Sequence, residues 1–480
     1  MKIYNRIYLL LFTAVMLSIT SCKLTRPVQR TSAIKAPLNF PGQTDSAGVG
    51  ALKRDMFFTD KNLVALIDTA LQNNLDLKMA IQRIEMARSN IMISQGALLP
   101  SVNAEVSAGG RKFGDYTMDG VGNYDTNFSG NINDDRRIPG PVLPDYFVGL
   151  RSSWEVDIWG KLKTQRKAAY SRFLATEKAK QAITTSLVAQ VASLYYELMN
   201  LDVERNIIKK NIALQETGVE TIRIQKEGGR ANELAVKQFL AQLLNTKSLE
   251  IGIEQEIIEV ENRLNLLLGR FPQPIKKSNT FERTFPEQIQ AGIPAQMLRR
   301  RPDIQQAELE MLAYYSDQQA AQLAFLPSLN ITALLGFNSF KSSLLFNPAS
   351  VAYSALGGLA SPIFNRKALK AGQKRTEAAS IEALYAYNKS ILNGFQEVST
   401  SLKKIENTRK ISDFKKEEVL VLQQAVSTSR DLFLTGYATY LEIILAQRSV
   451  LEAELTLTNV QKDNYLAFIE LYRSLGGGWQ

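Results

Sequence analysis

The sequence predicts an α+β membrane protein, with strands for a transmembrane β-barrel joined to long helices and the same layout occurring twice in the chain. Three observations carry this. Residues 97–110 (ALLPSVNAEVSAGG) and 324–337 (AFLPSLNITALLGF) both switch at Leu-Pro from helical periodicity to alternation. Each switch is followed by a second alternating stretch and then by two long runs nearly free of Gly and Pro. The N-terminus reads as an export signal that ends at the chain's single cysteine.

The export signal comes first. Lys2 and Arg6 precede an apolar run over residues 7–19, too short for a comfortable membrane span. It ends in Ile19-Thr20-Ser21-Cys22, which resembles a bacterial lipobox. That resemblance implies cleavage before Cys22, a thioether-linked diacylglycerol on its sulfur and an acylated new N-terminus. An ordinary signal peptide is the other reading; the only Cys of 480 residues standing where the box requires it favours lipid attachment. Several acyl chains anchor a protein stably to a membrane. Residues 1–21 are thus predicted as a lipoprotein signal peptide. Residues 22–60, polar and carrying Pro27, Pro37 and Pro41, read as an extended leash.

The first repeat is predicted over residues 61–270. Leu63, Ile67, Ala70, Leu77, Ile81 and Ile84 recur at helical spacing, and that helix runs to Leu99-Pro100. The residue before Pro is pushed out of the α region, so the same dipeptide starts a strand. Val102, Ala104, Val106 and Ala108 then alternate with Ser101, Asn103, Glu105 and Ser107. The partner strand alternates Tyr146, Val148, Leu150, Trp154, Val156 and Ile158 with polar or small residues. Between them, residues 111–143 form a long Gly-, Asn- and Asp-rich loop, as extracellular barrel loops do. Residues 163–226 and 231–268 are two long helices with Gly228-Gly229 as the turn. A helix of about 60 residues is roughly 90 Å long, far beyond a globular helix. Residues 271–297, with Pro272, Pro274, Pro286 and Pro294, read as a linker.

The second repeat, 298–480, has the same order. Leu329, Ile331, Ala333, Leu335 and Phe337 alternate with small or polar residues, Leu334 being the exception. Val351, Tyr353, Ala355 and Leu359 make the fourth strand. Two helices follow, residues 365–435 and 437–475, broken at Gly436. The last carries two apolar stripes, one through Leu441, Ile444, Leu451 and Leu455, the other through Ile443, Val450, Leu457 and Leu471. A two-stranded coiled-coil rod needs one seam; two seams predict a neighbour on each side, as in a ring of helices.

Strands of about ten residues with one apolar and one polar face fit a transmembrane barrel. A soluble half-buried sheet uses the same alternation, but the export signal and the long loop favour the barrel. One chain supplies four strands, and an open sheet leaves unsatisfied edges in lipid. The barrel is therefore shared between chains, two giving about eight strands and three about twelve.

Composition excludes several functions. With no His and one Cys, the chain has no His-based acid/base chemistry, no His metal site and no internal disulfide. No Gly-rich phosphate loop, metal cluster or nucleophile–base pair stands out, so no enzyme, metal or cofactor is predicted beyond the lipid on Cys22. The net charge of +10 is spread along helices without aromatic interleaving, which argues against nucleic acid.

Several motifs in order resemble the TolC-like outer membrane factors, or outer membrane efflux proteins, and their lipidated members in resistance–nodulation–division systems in particular. They are SSWEVDIWGKLKTQRKAA (residues 152–169), NRLNLLLG (262–269), LRRRPDIQQAELEMLAYYSDQQAAQLAFLPSLNIT (298–332), YLEIILAQRSVLEAE (440–454) and LYRSLGGGW (471–479). The resemblance covers nearly all of the mature chain. It implies a homotrimer with a twelve-stranded barrel in outer-membrane lipid, continuous with a periplasmic helical barrel. It also implies a passive duct for small toxic compounds, fed by an inner-membrane efflux pump through a periplasmic adaptor. A duct for type I protein secretion is the second reading in the same fold, and a lipid-anchored coiled-coil rod the third.

The resemblance also places functional residues. The family's constriction falls on the helix after Gly436, and Arg448 matches an Arg that takes part in its closing contacts. Many relatives carry Asp two residues before the Gln of the AQR step, where this chain has Leu445. Glu442 then supplies either a substitute carboxylate ring or a partner for Arg448, or it packs as an ordinary helix-surface residue. A leucine ring closes by dewetting instead. Gly228, Gly229, Gly436 and Tyr437 lie at the turns where an adaptor would dock. Plain helix termination by Gly is the simpler reading of the same turns.

Overall fold

The computed structural model describes residues 37, 54–138, 140, 142–278, 298–362, 364 and 366–479. Cys22, the signal peptide, most of the leash and residues 279–297 of the linker lie outside these. The helices are α1 (Arg54–Phe57), α2 (Lys61–Asn73), α3 (Leu75–Gly96), α4 (Met118–Phe128), α5 (Lys161–Glu227), α6 (Glu233–Leu267), α7 (Pro302–Leu323), α8 (Arg366–Thr435) and α9 (Tyr440–Ser474). The strands are β1 (Ser101–Arg111), β2 (Leu143–Val156), β3 (Ser328–Ser339) and β4 (Val351–Ala360). They form one antiparallel sheet in the order β1-β2-β3-β4.

The described residues divide into two compact units, one within 88–171 and 311–384, the other within 54–87, 172–278, 298–310 and 385–479. The first contains the sheet. Its corners are tied by indole hydrogen bonds: Trp154 Nε1 donates to the Leu98 carbonyl at 3.0 Å, and Trp159 Nε1 to the Pro327 carbonyl at 2.7 Å. Both Leu-Pro switches are therefore held by tryptophans of the same SSWEVDIWG stretch. Asp157 in that stretch accepts from the backbone N–H groups of Leu162 and Lys163, covering donors that the start of α5 leaves open. This is why β2 ends at Val156 and Ile158 falls outside it.

Two expectations change here. The β1–β2 connection is not plain loop, since α4 occupies its middle. Thr117 Oγ1 accepts from Gly120 N–H at 3.1 Å, and Asp119 sits in the first turn, so the polar composition that reads as loop also starts a helix. Further, residues 54–60 are packed and not leash. Phe57 and Phe58 are buried, and the Phe57 ring stacks on Tyr472 with centroids 4.0 Å apart.

The second unit holds the helical core. Asp60 caps α2, accepting from Asn62 N–H at 2.8 Å, and its other oxygen accepts from the Tyr195 hydroxyl at 2.7 Å. Burial and the Asp60 carboxylate push the Tyr195 phenol up to about 12. The helix expected from Leu63 to Leu99 is broken at Asn74. That side chain accepts from Leu77 N–H at 3.0 Å and donates to the Leu267 carbonyl at 2.9 Å, so it caps α3 and docks the end of α6 together. Beyond the break Leu77 is still buried, but the apolar stripe fails from Ile81, which is exposed.

Arg301 closes the far end of the chain onto α7. It is 4% exposed, pairs with Asp303 and Glu397, each at 2.6 Å, and donates to the Ser474 carbonyl at 2.9 Å. Arg473 also reaches Glu397 at 3.4 Å, and Trp479 Nε1 donates to the Arg300 carbonyl at 3.2 Å. The LRRRPD and LYRSLGGGW motifs thus meet in space. Asp303 is 44% exposed and Glu397, 31% exposed, keeps Arg473, so loss of Arg301 strands no fully buried carboxylate. What is lost is its hydrogen bond to the Ser474 carbonyl and its packing, worth about 1–3 kcal/mol when a buried partner is left unpaired. We expect Arg301→Ala to lose about that much stability, read as a lower thermal midpoint of the full chain. An unchanged midpoint would show that Arg301 contributes nothing net.

Glu204 is a second buried charge. It accepts from Asn200 Nδ2 at 2.8 Å and Asn459 Nδ2 at 2.6 Å, with Lys462 nearby on α9. Burial raises its carboxyl above the ordinary range despite the Asn200 hydrogen bond. In the window between the ordinary and raised values the folded chain binds the extra proton, so stability falls as pH rises through it. Glu204→Gln keeps both accepted hydrogen bonds and removes the titration. It is expected to match the parent at low pH and to exceed it above the window, measured as unfolding midpoint against pH; parallel profiles would refute this.

Candidate functional site

Two regions of the chain can serve transport: the sheet and the tips of the helix hairpins. In the sheet, register places side chains of like kind side by side. Val106, Val148, Phe337 and Val351 form one cross-strand row, and Ala104, Leu150, Leu335 and Tyr353 the next. This face carries Trp154, Val156, Leu329, Ile331 and Leu359 as well. Val106 is 80% exposed and Tyr353 82%, an apolar surface of a kind that marks a membrane or partner contact.

The opposite face carries Ser101, Asn103, Glu105, Ser107, Arg151, Asn330, Thr332 and Asn338. Arg151 Nε donates to Glu105 at 2.6 Å across the β1–β2 pair. The alternation breaks at Phe147, Leu334 and Leu356. Phe147 has a local reason: Gly149 and Gly336 stand opposite each other, and its ring lies where their side chains would be. The outer edges of β1 and β4 have no strand partner among the described residues.

The first hairpin joins α5 to α6. Gly229 has φ +72°, Arg230 N–H donates to the Gln225 carbonyl at 2.8 Å, and Gly229 N–H to Lys226 at 3.0 Å. This is a Schellman end with Gly in the left-handed position. Gly228 precedes it with ordinary helical bonding to Ile224. Asn232 starts α6, accepting from Ala235 N–H at 2.9 Å. Lys226 and Glu233 pair across the turn at 2.5 Å.

The second hairpin joins α8 to α9 with the same device. Gly436 has φ +84°, and Tyr437 N–H donates to the Leu432 carbonyl at 2.8 Å. Tyr437 is 86% exposed at the turn. Thr439 is the N-cap of α9, and its hydroxyl donates to the Glu442 carboxylate. That bond, with backbone N–H donors behind it, holds the Glu442 carboxyl below the usual carboxylate range. Thr-x-x-Glu is the capping-box spacing. Within the chain Glu442 is engaged at the helix start by Thr439 rather than by Arg448, six residues on. Glu442, Leu445 and Arg448 are all exposed, at steps of three along α9, while Ile443 and Val450 are buried. Leu441, expected in a buried stripe, is exposed too. The structure therefore brings the three expected gate residues to one solvent-facing strip.

Sequence reasoning missed one feature near these tips. A cavity of about 230 Å³ lies among the ends of α5, α6, α8 and α9. It is lined by Gln215, Gln225 and Gln447, a residue type with no motif to flag it. No group of His, Cys, Asp or Glu suited to hold a metal occurs among the described residues.

Comparison with known proteins agrees with this geometry. The outer membrane efflux protein family matches over residues 66–270 and 293–477. The cation efflux system protein CusC of Escherichia coli O6:H1 is 28% identical over 473 residues, covering 97% of this chain and 98% of the relative. The solvent efflux pump outer membrane protein SrpC of Pseudomonas putida is 27% identical, covering 92% and 91%. A crystal structure of a membrane protein from Pseudomonas aeruginosa superposes with a TM-score of 0.83 at 26% identity, covering 95% of this chain and 98% of that one. The open-state MtrE outer membrane channel of Neisseria gonorrhoeae, 22% identical, has the same fold with a TM-score of 0.81, covering 95% of this chain and 99% of that one. The chain belongs to the outer membrane efflux protein family and acts in the outer membrane as a component of efflux.

Proposed function

We propose that three copies assemble into one duct through which small toxic compounds leave the cell. An inner-membrane pump supplies the energy and a periplasmic adaptor makes the connection, while the duct itself is passive. The observation that carries this is the open four-stranded sheet with one exposed apolar face. In a meander of four antiparallel strands, β4 of one copy runs antiparallel to β1 of the next. Head-to-tail closure therefore satisfies both edges without changing the pairing type. Three copies give twelve strands, with the Val106–Tyr353 face toward lipid and the Glu105–Arg151 face toward the lumen. The two halves, residues 61–270 and 298–480, act as repeats that each give the assembly two strands and two long helices. The long helices form the periplasmic barrel, and Cys22, lipidated, tethers the leash to the membrane.

Small solutes are favoured over secreted proteins because CusC is named for cations and SrpC for solvents. The hairpin tips point to docking. Gly228, Gly229 and Gly436 make compact turns, and Tyr437 stands out from the second. A photo-crosslinker at position 437 in living cells is expected to capture a periplasmic adaptor. Capture of only further copies of this chain, with the pump expressed, would overturn docking at this tip.

The strip Glu442–Leu445–Arg448 is the proposed constriction. With Glu442 engaged in its cap, Leu445 closes the lumen by excluding water and Arg448 sets a positive ring beside it. Native mass spectrometry of the purified protein should first give three chains. Leu445→Ser is then expected to raise single-channel conductance severalfold in planar bilayers. Glu442→Gln should leave it nearly unchanged. The opposite ranking would move the constriction to Glu442.

A further inference from the structure

The start of α5 carries charge where a helix least favours it. Residues 161–176 hold five Lys or Arg and no Asp or Glu, the first acidic residue being Glu177. A helix N-terminus carries partial positive charge and is stabilised by acidic residues, not basic ones. Asp157 already covers the open N–H groups of Leu162 and Lys163 there. Lys161 is accounted for as well, since it pairs with Glu155 at 2.6 Å. Lys163, Arg166 and Lys167 are not. All three are exposed, and their side chains make no ion pair among the described residues. Like charges three and four residues apart on a helix repel one another, so an anion from outside the chain is the partner they lack.

Their direction follows from the sheet. Glu155 belongs to the polar face of β2, in register with Asn330, so its partner Lys161 marks the side of α5 nearest that face. At about 100° per residue, Lys163, Arg166, Lys167 and Tyr170 lie about 200°, 140°, 240° and 180° round the helix from Lys161. They form one strip on the side away from the polar face, in continuation of the apolar one. Ile158 and Trp159, both half-exposed, fill the step between strand and strip. Along β2 the apolar face runs from Tyr146 to Val156, about 33 Å of strand. At a barrel tilt of about 40° that is about 25 Å of height, the depth of an apolar membrane band. The strip begins just past it. From Lys163 to Tyr170 it rises about 10 Å, enough to cross one headgroup layer of about 5–8 Å.

We propose that Lys163, Arg166 and Lys167 bind the phosphate headgroups of anionic phospholipid in the leaflet on the helix side of the outer membrane. This rests on the reading that the sheet lies in lipid. Apolar face, half-exposed indole and cationic strip follow one another in the order acyl chain, glycerol region and phosphate. Arg offers two parallel N–H donors to one phosphate, and Lys a point charge. A zwitterionic headgroup presents its own cation to the strip and gains less. The consequence is mechanical. Sinking the duct would move the cations into hydrocarbon, and raising it would take them off the phosphates, so the strip fixes its depth.

The test is native mass spectrometry of the purified full-length protein in detergent, titrated with phosphatidylglycerol or with phosphatidylcholine of the same acyl chains. Phosphatidylglycerol is expected to bind at least tenfold more tightly, and the preference should shrink as ammonium acetate is raised. Lys163→Gln/Arg166→Gln/Lys167→Gln should weaken phosphatidylglycerol at least tenfold and leave phosphatidylcholine unchanged. Lys403→Gln/Lys410→Gln/Lys416→Gln, which removes equal charge far along α8, should keep the preference. The first variant should also unfold at an equal or higher temperature, because it relieves repulsion at the start of α5. A lower midpoint would assign the strip to fold stability instead. Equal binding of the two lipids by the parent would overturn the proposal and leave the lipid-embedded sheet standing. Binding of neither would overturn both. A preference lost as fully in the second variant as in the first would reduce it to net charge, and displacement of phosphatidylglycerol by equimolar inorganic phosphate would reassign the strip to a free anion.

Discussion

Backbone hydrogen bonding is the constraint on which the rest of this structure depends. A strand or helix end that leaves N–H or C=O groups unpaired must find a partner elsewhere. Among the described residues this is met at the helix ends by side-chain caps and glycine turns. Asp60, Asn74, Asp157 and Asn232 each cover helix N-terminal donors, and Gly229 and Gly436 close the hairpin helices with carbonyls bonded. Among the described residues, the outer edges of β1 and β4 have no strand partner. Those are also strands whose apolar side chains are most exposed. Open edges and an apolar face on one sheet are one problem with one kind of solution, closure with further copies in lipid.

The same constraint explains the corners between helix and strand. Proline stops α3 and α7 by excluding the α conformation before it, but it does not aim the strand that follows. The aim comes from Trp154 and Trp159, each donating its indole N–H to a carbonyl at one of the corners. Both lie in the single nine-residue stretch 152–160 that also carries Asp157, the cap of α5. Sheet direction and helix start are therefore set by one local motif in the first half of the chain. The second half uses its own Pro327 but borrows Trp159 to hold it.

Much of this was legible in the sequence because periodicity is a one-dimensional signal. Alternation from Val102 to Ala108 and from Leu329 to Phe337 marks strands and faces together, and the Gly-free runs mark long helices. What stayed hidden rests on single side chains acting across the chain. Asn74 breaks a helix that no Gly or Pro interrupts, because it finds Leu77 N–H on one side and the Leu267 carbonyl on the other. Phe57 and Phe58 look like two apolar residues in a polar leash until Tyr472, more than four hundred positions away, supplies the ring that Phe57 stacks on and Phe58 meets edge-on. Glu442 reads as a free carboxylate by composition, while Thr439 three residues earlier claims it.

The hairpin tips show how stability and function divide the same helix. On α9, Ile443 and Val450 are buried and fasten it to the other helices. Leu445 and Arg448, on the exposed strip, contribute nothing to that core and are free to serve a pore.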